Sequence, residues 1–303
     1  AVASDPSNPV EGQIWYNTTS NVVKGFLISS GSWATGGNLN SARKQMGGAG
    51  IQTAALGFGG QPEPARAFTE SYNGTSWTEV NDLNLGRERL AGAGTQTAAL
   101  AFGGTISFDA KTETETWNGS NWTEVNNMNT ARARLAGCGT NTSALGFGGY
   151  NGGTFNNTES WNGTNWTAVN TMNTARYQLA GAGTRTSALA FGGNTGPNSA
   201  TESWNGTNWT AVNSLNTGRQ DLGGSGASNT AALAFGGNPV TAITESWNGT
   251  NWTEVADLGT ARQYIAGCGT QAAALAFGGE APPQSTATEE FNSGPTTVSF
   301  DVS

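Results

Sequence analysis

The chain contains no histidine in its 303 residues. It therefore lacks the commonest general base, every Ser–His or Cys–His nucleophile pair, and the usual nitrogen ligand of zinc. Cysteine is nearly absent. Cys138 and Cys268 lie 130 residues apart with no Cys-x-x-Cys spacing, so zinc is unsupported and two free, buried thiols are expected. Charge is sparse, at 11% of residues with a net value of −8. Few cations on an acidic chain argue against a nucleic-acid partner. No apolar run approaches the roughly 20 residues of a membrane span. The N-terminal residues show neither the basic region nor the apolar stretch of a signal peptide. Helical repeats are excluded, because no window carries a 3.6-residue apolar period.

What the chain has instead is one sentence repeated six times. In its clearest form it reads T-A-R-A-R-L-A-G-C-G-T-N-T-S-A-L-G-F-G-G, then a variable stretch, then T-E-S-W-N-G-T-N-W-T-A-V-N. Gly-Gly pairs recur at Gly59, Gly103, Gly148, Gly192, Gly236 and Gly278, spaced by 44, 45, 44, 44 and 42 residues. An arginine recurs as Arg43, Arg87, Arg132, Arg176, Arg219 and Arg262, and a glutamate as Glu70, Glu115, Glu159, Glu202, Glu245 and Glu289. A tryptophan recurs as Trp33, Trp77, Trp122, Trp166, Trp209 and Trp252. The equal count and shared period of Arg and Glu predict one ion pair per repeat, within or across repeat units. Six such pairs point to scaffold, since an active site is normally singular.

Each unit reads as four short strands, at 135–139, 143–147, 158–161 and 166–169 in the third repeat. Asn162-Gly163 suits a type I′ hairpin turn between the last two. Four antiparallel strands every 44 or so residues describe the blade of a β-propeller. The first strands are rich in Gly and Ala, with one small slot filled by Ala49, Ala93, Cys138, Ala182, Ser225 and Cys268. Such strands fit the crowded central axis, while the tryptophans fit the wedges that widen outward.

The order Arg, apolar strand, Phe-Gly-Gly, variable loop, aromatic, then Trp about five residues later resembles the kelch motif over roughly residues 22–303. The Gly-His half of the WD40 signature cannot exist here. The resemblance to kelch and galactose-oxidase-like proteins implies an all-β, six-bladed propeller of four-stranded antiparallel blades. It does not carry over the copper chemistry of galactose oxidase, whose ligands include histidine. Seven blades is the alternative, although there is no seventh Phe-Gly-Gly.

The strand count is uneven at the ends. Residues 31–35, around Trp33, supply a fourth strand with no first or second before it, and 288–291 supply a third strand with no fourth after it. The economical solution closes the ring by pairing them. In a second arrangement the tail at 296–302 completes the last blade and 22–35 is an added outer strand. Residues 1–21 fall outside the repeat and form a separate attachment segment before the propeller at 22–303. The stretch from Pro9 to Phe26, P-V-E-G-Q-I-W-Y-N-T-T-S-N-V-V-K-G-F, resembles a hairpin of bacteriophage tail-fibre and other virion proteins. That resemblance implies other virion proteins as partners of residues 1–21, and a virion or extracellular location. Oligomeric state is left open, a homo-oligomer on a particle being one arrangement.

The words that change lie after each Gly-Gly, at 61–67, 105–112, 150–157, 194–200, 238–243 and 280–287. All are second-to-third-strand loops, so all emerge on one face, where recognition usually resides. The 105–112 and 150–157 loops are the richest, with Phe108, Asp109, Lys111, Tyr150 and Phe155 as candidate ligand-binding residues. Exposed aromatics beside Asn and Asp suit a glycan or protein. Glu63, Asp109 and Glu280 are the non-repeat carboxylates a glycosidase would need, but they are scattered over different loops. No catalysis, cofactor or metal is expected. A host-binding virion appendage, a structural decoration or spacer of a particle, and a secreted adhesin are the functions compatible with the sequence.

Overall fold

The computed structural model describes residues 1–7, 13–28, 30–62, 67–194 and 198–300, and only the backbone of 26–28 and 295–298. Six four-stranded antiparallel sheets account for the repeats. The third is typical: Ala136–Thr140, Ser143–Phe147, Thr158–Trp161 and Trp166–Val169 pair in chain order. The first strand of each sheet touches that of the next. The cycle closes where Ala266–Gly269 of the sixth sheet meets Gly47–Ile51 of the first. This is a β-propeller, and among the described residues no seventh four-stranded sheet occurs.

Ring closure uses both ends of the chain. The sixth sheet runs Ala266–Gly269, Ala273–Phe277, Thr288–Asn292 and then Ser32–Thr35, with Trp33 opposite Phe291. The tail takes no part in it. Pro295–Phe300 instead pairs with Val22–Ile28, which pairs with Ile14–Asn17 in a separate three-stranded sheet. A boundary after residue 21 therefore falls inside a hairpin, because Asn17 and Val22 are partners across its turn. Residues 8–12 of the virion-like stretch lie outside the described residues.

Alternation explains the packing. Second strands read Ala-Leu-Ala/Gly-Phe, with both faces buried, because each sheet is covered on both sides by a neighbour. Six apolar clusters result, one at each seam between adjacent sheets. Both cysteines belong to these seams: Cys138 shares a cluster with Phe147, Trp204 and Trp209, and Cys268 shares one with Phe277 and Trp77. Both thiols are free, and burial pushes each up to about 12. At every seam a Phe of one sheet meets the Trp of the next, ring centroids 4.8–5.2 Å apart, including Phe235 with Trp33. The indole N–H then donates across the same seam to a threonine hydroxyl, as Trp166 does to Thr114 and Trp33 to Thr244.

The Asn-Gly turns are not type I′. Trp161 pairs with Trp166, so the loop holds four residues, and of its Asn-Gly pair only Gly163 has positive φ. Asn162 instead accepts the backbone N–H groups of Thr164 and Asn165 through its side chain. That bond competes with the two-residue turn and lengthens it.

Candidate functional site

The six repeat arginines are fully buried and each pairs with its repeat glutamate, at 2.5–3.3 Å. Arg132 illustrates the node. Its Nη1 donates to the carbonyls of Gly148 and Asn157, and its Nη2 to Glu159. Burial pulls this guanidinium below the ordinary arginine value, and Glu159 opposes the shift. The second glutamate oxygen accepts the N–H and Nδ2 of Asn129, three residues before Arg132, and Asn129 also donates to the Trp166 carbonyl. Asn40, Asn84, Asn173 and Asn216 do the same in other repeats, but the sixth has Gly259 there, which donates only its backbone N–H. The backbone carbonyl of each arginine faces the other way and accepts the N–H of the preceding sheet's second Gly-Gly glycine, at 2.8–3.0 Å. Gly104 must be glycine here: its φ is +102° and a Cβ would come 2.8 Å from the Glu88 carbonyl.

Two residues after each arginine the chain enters the left-handed region. Gln45, Arg89, Arg134, Gln178, Asp221 and Tyr264 have φ between 54° and 60°. Each donates its N–H to the carbonyl of the one before, and Gln45 donates to Tyr264, so six bonds of 2.8–3.1 Å form a closed circle. A non-glycine residue at positive φ is strained, and strain repeated around a ring is held only by the surrounding structure. Above a collar of Met46, Leu90, Leu135, Leu179, Leu222 and Ile265, these side chains line an axial cup of about 90 Å³. Two of the six are cationic, one carries a carboxyl and one is aromatic, so the cup breaks the symmetry of the ring beneath it. Gln178 donates to the Asp221 carboxylate at 2.8 Å. Burial raises that carboxyl to about 7, against the opposing pull of Gln178, Arg134 and Arg89.

The residue between each arginine and cup residue bridges to the start of its sheet's variable loop, as Ala133 does with Tyr150 and Glu88 with Thr105. This places cup and loops side by side. A second cavity, of about 80 Å³, is lined by Arg89, Thr105, Phe108, Ala110, Ala133, Arg134, Tyr150, Asn151 and Gly152. Arg89 and Arg134 thus border both cavities. Phe108 is 85% exposed. It sits at the tip of a small hairpin, Thr105–Ile106 with Asp109–Ala110, whose two turn residues Ser107 and Phe108 both have positive φ. Tyr150 lies 5.2 Å from Tyr177, and the Arg134 guanidinium lies 5.9 and 5.6 Å from the two ring centres.

The expected ligand-binding residues therefore divide. Phe108 and Tyr150 share a cleft. Asp109 and Lys111 pair with each other at 2.7 Å and stay outside it. Phe155 does not line it either; its carbonyl accepts the N–H of Arg176. Of the three loop carboxylates singled out in the sequence, Glu280 is bonded to Lys44, Asp109 is spent on Lys111, and Glu63 lies outside the described residues. Arg89, Arg134 and the other cup residues, and Tyr177 beside Arg134, carry no obvious mark in the sequence. Their only signal is two variable positions between the fixed arginine and the fixed Leu, Met or Ile, as in Arg132-Ala133-Arg134-Leu135. No cluster of His, Cys, Asp or Glu fit to hold a metal occurs among the described residues.

No family model and no curated protein matches the sequence. Solved structures do match its fold. One described as the structure of YjhT superposes with a TM-score of 0.70 at 13% identity, covering 86% of this chain and 99% of that one. At that identity the likeness concerns the fold alone, a propeller of repeated four-stranded sheets.

Proposed function

We propose that this chain is a non-enzymatic, kelch-like recognition propeller of a virion appendage, whose variable second-to-third-strand loops bind a host-surface glycan or protein. The observation that carries the reading is the cleft in which Phe108 and Tyr150, from loops of neighbouring sheets, meet Arg89 and Arg134. A strained turn that holds a phenylalanine in water costs stability, and an outlier of that kind motivates a binding role. Among the described loop carboxylates, Asp109 and Glu280 are each bonded to a lysine, which favours a binding role for these loops.

Attachment falls to the N-terminal segment. Asp5 ties it together by accepting from Trp15 and Asn17 and pairing with Lys24, and these bonds hold the Asp5 carboxyl down at about 2. Trp15 and Asn17 face inward while Ile14 and Tyr16 face out, leaving an apolar edge with Val2 for another virion protein. The test is a glycan array and a host-cell binding assay with the full chain. Binding that disappears in Phe108→Ala and Tyr150→Ala supports the reading. A chain that binds neither glycans nor cells, yet occupies a fixed lattice position on a particle, is instead a structural decoration.

A further inference from the structure

Every described lysine and arginine other than Arg89 and Arg134 has an internal partner. Six arginines pair with the repeat glutamates, Lys24 with Asp5, Lys44 with Glu280 and Lys111 with Asp109. Arg185 donates to the hydroxyls of Ser143 and Ser160. Arg134 differs. Among the described residues its guanidinium makes no ion pair and donates no hydrogen bond, and it rests only on the faces of Tyr150 and Tyr177. Arg89, its neighbour in the ring, comes no closer than 3.8 Å to a carboxylate oxygen, that of Glu88, which is beyond hydrogen-bond reach. Burial and the like charge of Arg134 pull the Arg89 guanidinium below its ordinary value.

Two planar forks with unused donors, side by side on a chain of net charge −8, are not a by-product of basic composition. Arginine forks of this kind match the paired oxygens of a carboxylate or sulfate. Phe108 and Tyr150 line the adjoining cleft and supply apolar faces of the size of a sugar ring. Across the axis, the Asp221 carboxyl, held by Gln178, offers an acceptor for a ligand hydroxyl. The adjoining cavities of about 90 and 80 Å³ are small and suit the anionic end and ring face of a terminal sugar rather than a long segment.

We propose that the ligand of this face is an acidic saccharide, its anionic group held between Arg89 and Arg134 and its ring against Phe108 and Tyr150. The proposal rests on the reading of the loop face as a glycan-binding surface. A nucleic acid is disfavoured because, among the described residues, only two cations are free here and the acidic chain repels a long polyanion.

The experiment is calorimetric titration of the full chain with oligogalacturonate (carboxylated), chondroitin sulfate oligosaccharide (sulfated), a panel of neutral oligosaccharides, and single-stranded oligothymidylate. Binding of one or both acidic sugars, weakened at least tenfold by Arg134→Gln and by Phe108→Ala, supports the proposal, and the arm that binds identifies the anionic group. Arg134→Lys keeps the charge without the fork and is expected to fall between parent and Arg134→Gln. Neutral sugars that bind through Phe108 and Tyr150 but ignore Arg134→Gln overturn the proposal and leave the glycan reading standing. Binding of oligothymidylate alone overturns it, and no binding in any arm overturns both. Should Arg134→Gln fail to fold, Arg89→Gln and a salt titration of the parent chain take its place: affinity that does not fall between 50 and 500 mM NaCl overturns the proposal.

Discussion

Arg132 and Arg134 lie two residues apart in one loop. Arg132 is wholly buried, bonded to Glu159 and two carbonyls, and has a counterpart in every repeat. Arg134 lies in the left-handed region, pairs with no carboxylate among the described residues, and is replaced by Gln, Asp or Tyr elsewhere around the ring. One loop thus carries an invariant anchor and a variable contact. Because the anchor is locked by its own repeat and its carbonyl bonds the neighbouring sheet, the contact residue can change chemistry while its backbone stays in the six-membered circle.

If the anchor is scaffold, breaking it should cost the most. Arg132→Ala leaves Glu159 buried without its counter-charge, and a loss of about 3–5 kcal/mol is expected by urea unfolding; Arg134→Ala should stay within about 0.5 kcal/mol. Equal losses would erase the distinction. Trp33→Ala removes the seam contacts with Phe235 and Phe291 and the bond to Thr244, with about 3 kcal/mol expected.

Asp221 tests the variable side. Its folded value of about 7 lies above the ordinary aspartate value of 3.8, so between those limits the folded state retains a proton that the unfolded chain has released. Stability should therefore fall as pH rises from about 4 to 7 and level off above. Asp221→Asn should remove that slope and be the more stable chain at pH 8, by about 1–2 kcal/mol after allowance for the open cup. The groups facing Asp221 are Gln178, Arg89, Arg134 and Tyr264. Thermal melts of both chains from pH 4 to 8 are the measurement, and parallel curves would show that Asp221 does not titrate in this window. The one expected gain from filling a node concerns Gly259. Gly259→Asn supplies the sixth node with its missing side chain, and a gain of about 1 kcal/mol is expected. The new Cβ would stand 3.0 Å from the Glu289 carboxylate, which must yield slightly.

The nodes are legible in the sequence because they repeat. The equal count of Arg and Glu announces their pairing, and the unpaired strand at Trp33 announces the closure. Asn129 and its counterparts recur in five of the six repeats, but Asn is common throughout this chain and its role as third member of the node does not stand out. The cup is hidden for the opposite reason. A residue such as Arg134 is chosen by what it faces, not by the period, and its left-handed backbone leaves no mark when Gln, Arg, Asp and Tyr all occupy it. The turn at Asn162-Gly163 misleads because side-chain capping by Asn and a type I′ turn share the same dipeptide, and only the register separates them.

The pairing of Trp33 with Phe291 also sets a schedule. Those residues are separated by most of the chain, and at about 5–20 residues per second the ribosome takes on the order of 10–50 s to travel between them. Throughout that interval the strand at 32–35 has been made and its partner has not. The first five sheets are assembled from neighbours in sequence, but the last must await the strand Thr288–Asn292. A nascent chain of this protein therefore remains an open arc, with a vacant edge on its growing side, until that strand emerges.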